Sequence, residues 1–192
     1  MVSQILQLLL DTVSGFFVIL LLARFHFQWL RVPFRNPVGQ FLISITNWAV
    51  LPVRRVVPSA GGLDLATLLL ALLLQVLTLW CLALLRGAAP EGGQGVLAFA
   101  VLAAFDLARY SVHILIFALI VQAVLSWTNP SSPMLGYFDA VVGPFLRPVR
   151  RYVKPVANFD LSPLVLLLIL QVLLIPLAYA RGMAAGALAG MF

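Results

Sequence analysis

Two arginine pairs are the sharpest chemical feature of this chain. Arg54-Arg55 and Arg150-Arg151 stand ninety-six residues apart, and each pair is followed nine residues on by an aspartate, Asp64 or Asp160, at the head of a long apolar run. Neighbouring guanidinium groups bind phosphate or carboxylate oxygens, and a carboxylate just ahead of a helix accepts its free backbone N–H groups. Lys154 adds a cation beside the second pair. These types and spacings point to lipid or partner binding at Arg54, Arg55, Arg150, Arg151 and Lys154, with Asp64 and Asp160 as helix caps.

A second set of polar residues lies inside the apolar runs. Gln75 and Gln171 each follow their aspartate by eleven residues, about 16 Å along a helix and so near the middle of a bilayer. Two such amides bonding across a helix interface would contribute roughly 0.6–2 kcal/mol. Helix-to-helix contact is the favoured reading of Gln75 and Gln171, ahead of a polar pathway. His26 and His113 sit near opposite ends of their runs with no H-x-x-x-H spacing and no neighbouring carboxylate, so no metal site is expected. Catalytic chemistry finds no support either: there is no paired-carboxylate site, no supported nucleophile and no phosphate loop with its lysine. Neither an enzyme nor a cofactor is expected. The single cysteine, Cys81, lies within an apolar run and excludes an internal disulfide.

The elements that must hold these residues follow from composition. Of 192 residues, 63 % are hydrophobic and 9 % charged, against about 45–50 % and about 25 % in soluble domains. The apolar residues fall in blocks, and four blocks are long enough to cross a bilayer: about 12–30, 65–85, 110–127 and 161–180. Residues 96–105 read as a helical extension or interfacial lead-in, because Asp106 and Arg109 separate them from the third span. The first fifteen residues contain no Lys or Arg, which argues against a cleaved signal. The first and third connections are rich in arginine and the middle one is not, so the positive-inside rule places the basic loops in the cytoplasm and both termini outside. Anionic headgroups are a sufficient partner for the net charge of +6, and nucleic acid is not needed to explain it.

The offset of ninety-six extends beyond the arginines. Pro52, Val53, Asp64, Leu65, Gln75, Val76 and Leu77 coincide with Pro148, Val149, Asp160, Leu161, Gln171, Val172 and Leu173. The expected fold is an all-α integral membrane protein with four transmembrane helices in two tandem repeats, each a span, an interfacial amphipathic helix and a span, related by a parallel pseudo-twofold axis. Repeat 1 covers 1–88 and repeat 2 covers 96–182, with a glycine-rich linker at 89–95 and a tail at 183–192. The interfacial helices are placed at about 37–51 and 133–147. In the first, Val38, Phe41, Leu42, Ile45, Trp48 and Ala49 form an apolar stripe at helical spacing; in the second, Met134, Tyr137, Phe138, Val141, Val142 and Phe145 do so, with Gly143 and Pro144 expected to weaken or kink the helix. Arg24 and Arg31 are expected to snorkel to the headgroups.

The segments NPVGQFL, PVRR, GGLDL and NFDLSPLVLLLILQVL, with the Arg24/Trp29 end of the first span, resemble the YggT family of small bacterial membrane proteins, whose plastid and cyanobacterial relatives are called YlmG-like. The resemblance covers most of both halves and is closest to the two-repeat form. The halves depart from one another where Gln122 replaces Arg24 and where Ala66-Thr67 stands in place of Ser162-Pro163. The resemblance implies a multi-pass protein of the bacterial inner (plasma) membrane with a role in osmotic tolerance, envelope or division processes, or assembly of membrane complexes. Two classes of function are carried forward. One is a structural or assembly factor that works through its interfacial helices and arginine pairs on membrane lipids, membrane-protein partners or copies of itself. The other is a small oligomeric channel or transporter in osmotic or ion homeostasis.

Overall fold

The computed structural model describes residues 2–59, 61–87, 93–153 and 160–188. They form six helices: α1 (Val2–Trp29), α2 (Pro37–Arg54), α3 (Leu65–Leu85), α4 (Gly93–Thr128), α5 (Pro133–Tyr152) and α6 (Ser162–Leu188), with no strand among the described residues. α1, α3, α6 and the stretch Gly95–Thr128 of α4 are long and apolar enough to cross a membrane. Even the shortest, α3, has 21 residues, or about 31 Å at ~1.5 Å per residue. Of the two readings of residues 96–105, a helical extension or an interfacial lead-in, the first holds: they belong to the same unbroken helix as the third span. The tail likewise begins as the last two turns of α6, because alanine, methionine and leucine after Arg181 favour continuation of the helix.

The local sequence explains how the chain turns between these helices. α1 ends in a Schellman arrangement: Arg31 takes φ 56°, the Val32 N–H reaches the Phe27 carbonyl at 2.8 Å and the Arg31 N–H reaches the Gln28 carbonyl at 3.1 Å. Val32 then buries itself, holding the exit from the span. Asn36 caps α2 by accepting from the Gly39 N–H at 2.7 Å, and Pro37 occupies the first helical position, where no N–H is required. Gly39 is needed because a Cβ there would lie 2.8 Å from the Phe34 backbone. α5 starts in the same manner with Ser132 and Pro133, but Leu135 stands where Gly39 stands in the first half.

Each long pair is stapled by a short helix. α1 packs on α3 with α2 against both, and α4 packs on α6 with α5 against both. The halves are joined through α4, which contacts α1 and α3; no comparable packing of α6 on α1 is formed among the described residues. One apolar core lies around Leu20, Phe27, Leu115, Leu119, Val142, Leu146 and Leu166, and a second around Val18, Leu21, Leu22, Val50, Ala71 and Leu107. α5 continues through Gly143, Pro144 and Pro148 to Tyr152. The apolar stripe assigned to α2 is split. Its buried residues are Gly39, Leu42, Thr46 and Val50, whereas Phe41 and Trp48 are 50 % and 71 % exposed. The helix is rotated because Thr46 meets a buried arginine from α1, a constraint that hydrophobic spacing does not carry.

Candidate functional site

Polar side chains gather in two places. The first is the end of the bundle where α1 and α4 finish and α3 and α6 begin. There Arg54 Nη2 donates to Asp64 Oδ2 at 2.5 Å and to Gln28 Oε1 at 2.9 Å, tying α2 to α1 and α3. Asp64 also caps α3 by accepting from the Thr67 backbone N–H and hydroxyl. Burial alone would raise the Asp64 carboxyl; the hydrogen bonds from Arg54 and Thr67 and the Arg54 charge outweigh it and hold the group below its ordinary value. Beside this cluster Arg24 is only 3 % exposed. It donates from Nη1 to Thr46 Oγ1 at 2.7 Å and Asn47 Oδ1 at 2.9 Å, so it is a cross-helix clamp instead of a snorkelling side chain. Arg31 is exposed.

The second half repeats the outline of this cluster near the surface. Arg150 Nε donates to Asp160 Oδ2 at 2.9 Å, and Asp160 accepts from the Ser162 N–H at 2.9 Å at the start of α6. Burial again raises the carboxyl, and bonding from Ser162 and Arg150 lowers it further than burial raises it. At the Arg24 position Gln122 donates instead to Asp139 at 2.8 Å, and its buried Oε1 has no hydrogen-bond partner among the described residues. Arg55 and Arg151, the second members of each pair, are exposed. Lys154 lies outside the described residues.

The second gathering is a cavity of about 770 Å³ at the opposite end. α1 contributes Gln4, Gln7 and Asp11, α3 contributes Gln75, α4 contributes Asp106, Arg109 and Tyr110, and α6 contributes Arg181. Asp106, 6 % exposed, is the hub: Arg181 donates to it from Nε at 2.5 Å and Nη2 at 3.0 Å, and Gln75 from Nε2 at 3.1 Å. Taken out of water, an aspartate is tolerable only with such partners. The packed residues Val18, Leu21, Leu22, Ala71 and Leu107 lie between this cavity and the arginine-pair end.

The expected Gln75–Gln171 bond is not made. α3 and α6 flank the bundle on either side of α4, Gln75 turns to Asp106, and Gln171 is exposed on α6. The sequence reading takes Asp106 only as a break before the third span and leaves Arg181 aside. The signal available was one carboxylate and one guanidinium, each inside a long apolar stretch. His26 is buried with Nδ1 2.7 Å from the Leu22 carbonyl, while His113 is exposed with Nδ1 2.8 Å from the Arg109 carbonyl. No cluster of three potential metal ligands occurs among the described residues.

The comparisons with known proteins agree with one another. The CCB3/YggT family model matches residues 3–85 and 101–180. An uncharacterised protein encoded in the proC 3′ region of Vibrio alginolyticus is 33 % identical over 168 residues, covering 86 % of this chain and 89 % of that protein. An uncharacterised protein of Pseudomonas aeruginosa is 32 % identical over 168 residues, covering 86 % and 84 %. The uncharacterised YggT of Escherichia coli K12 is 31 % identical over 178 residues, covering 88 % and 86 %. No solved structure matches. With both halves matched by one family model and relatives aligned along most of their length, the chain belongs to the CCB3/YggT family.

Proposed function

We propose that this protein is a non-enzymatic structural or assembly factor of the bacterial inner membrane, with its two repeats in one orientation and its arginine-pair end in the cytoplasm. The observation that carries this reading is a division of labour within each pair. Arg54 and Arg150 are engaged by Asp64 and Asp160, while Arg55 and Arg151 remain exposed at the ends of α2 and α5. The engaged arginine fixes the helix end, and the exposed one offers a guanidinium to an anionic headgroup or an acidic partner surface. Exposed Phe41 and Trp48 on α2, the latter beside Phe17, Leu21 and Leu74 of the spans, add aromatic surface that suits lipid. Membrane lipids and other membrane proteins are the partners this surface suits, and a role in envelope or osmotic tolerance is the physiological setting. Photo-crosslinkers at Val56 and Tyr152, exposed beside the two pairs, should capture a discrete partner, and glutamine at Arg54, Arg55, Arg150 and Arg151 should abolish the capture. Capture that survives neutralisation would remove this reading.

The polar cavity favours a second reading, a small channel or transporter. A charged cluster inside one chain supplies the polar lining that apolar spans lack, although the packed layer beneath it requires a movement before anything crosses. Ion and water flux through liposomes separates the readings. Flux that disappears with Gln75→Leu or Asp106→Asn, at equal amounts of folded protein, supports transport, and absence of flux under any gradient leaves the assembly role.

A further inference from the structure

α6 carries an amide with nowhere to turn inside the chain. Gln171 lies eleven residues past Asp160, about 16 Å along the helix and so at mid-span depth, and is exposed with no hydrogen bond to any other described residue. In hydrocarbon no water replaces the missing partner. Its counterpart Gln75 is 4 % exposed and bonded to Asp106. The reason is the seat of the helix: α6 buries Pro163, Leu166 and Leu170 and aims Arg181 at Asp106, which leaves the Gln171 side outward.

That side is a continuous stripe. Leu164, Leu168, Gln171, Ile175, Ala178 and Gly182 recur at alternating steps of four and three residues, the spacing of a helix–helix seam, and all are exposed. Gly186 follows Gly182 by four residues, and a Cβ built on either glycine meets nothing within 4 Å. Small residues four apart let two helix backbones approach closely in a membrane.

We infer that the Gln171 stripe of α6 is the contact surface between two copies of this chain, packed in parallel about a twofold axis along the membrane normal. The amide selects the occupant. A primary amide both donates and accepts, so it complements a second amide, and a twofold axis brings residue 171 of each copy to the same depth. The apolar face on α1, with Leu9 and Val13 each 55 % exposed, offers only the Thr12 hydroxyl, a group that can bond back to its own helix, and suits lipid.

The test uses the full chain in phospholipid vesicles, with Cys81→Ala removing the native thiol. Ile175→Cys or Ala178→Cys should give a disulfide-linked homodimer on mild oxidation at least tenfold faster than Val13→Cys. In energy-transfer titrations between labelled copies, Gln171→Leu should raise the dimer dissociation constant about tenfold. Gln171→Asn should retain most of the association, and Gly182→Leu should weaken it by a separate, steric route. Because Gln171 and Gly182 are exposed, these variants leave the monomer core intact, which helical content by circular dichroism checks. Equal cross-linking at Ile175 and Val13, an unchanged equilibrium in Gln171→Leu, or cross-linking in native membranes to a different protein instead of a second copy would each overturn the assignment.

Discussion

The two halves carry the same arginine-to-aspartate link and set it in different surroundings. In the first half the Asp64 side chain is fully buried, Arg54 is partly exposed, and Gln28 and Thr67 complete the bonding. In the second half the partners are Arg150 and Asp160, both exposed, with Ser162 alone adding to the pair. The glutamines divide in the same direction, Gln75 inside on Asp106 and Gln171 outside. A repeated sequence therefore supplies the same bonds but not the same energies. A pair screened by solvent contributes little, whereas a buried carboxylate cannot lose its partner without a penalty.

The largest expected effect tests that difference directly. Asp64→Asn should destabilise the protein by about 3 kcal/mol, at the lower end for breaking a buried pair because Arg54 keeps some exposure. Asp160→Asn should cost less than about 1 kcal/mol. Reversible unfolding in bicelles gives both values, and equal losses would erase the distinction between the halves. Next comes the cavity. A double-mutant cycle of Asp106→Asn with Arg181→Gln should return a coupling of about 1–3 kcal/mol, and a value near zero would mean that α6 is held without this bond.

The glutamines sharpen the comparison at smaller magnitude. Measured at dilution where the chain is monomeric, Gln75→Leu should cost about 1 kcal/mol, and Gln171→Leu should change monomer stability by less than about 0.5 kcal/mol. The finest test is pH. Both aspartates titrate below the ordinary value of 3.8 in the folded protein. Their stabilisation is therefore complete above that value and is lost as the pH falls through the depressed folded values. The stability gap between the native chain and Asp64→Asn should stay constant from neutrality down to about pH 5 and close only in stronger acid. A gap that narrows between pH 7 and 5 would contradict the depressed Asp64 titration.

Some of the site was legible before any coordinates. Asp64 and Asp160 stand directly ahead of apolar runs, and arginines at a fixed spacing before them advertise a link that a short turn can close. Arg24 was misread because an arginine near the end of a span ordinarily reaches for headgroups; here Thr46 and Asn47 arrive from α2 and intercept it. Arg181 was missed because its partner Asp106 lies seventy-five residues earlier, with no local pattern to connect them.

The sequence by itself determined the membrane class, the four long apolar helices and the capped start of α3, because transfer of a segment into hydrocarbon and capping of a helix end depend on neighbouring residues alone. Tertiary structure decided which way each helix faces. That rotation is fixed by packing between segments far apart in the chain, so two glutamines at identical positions in a repeated sequence end with different fates: Gln75 beside a carboxylate in the cavity, Gln171 on an open face of α6.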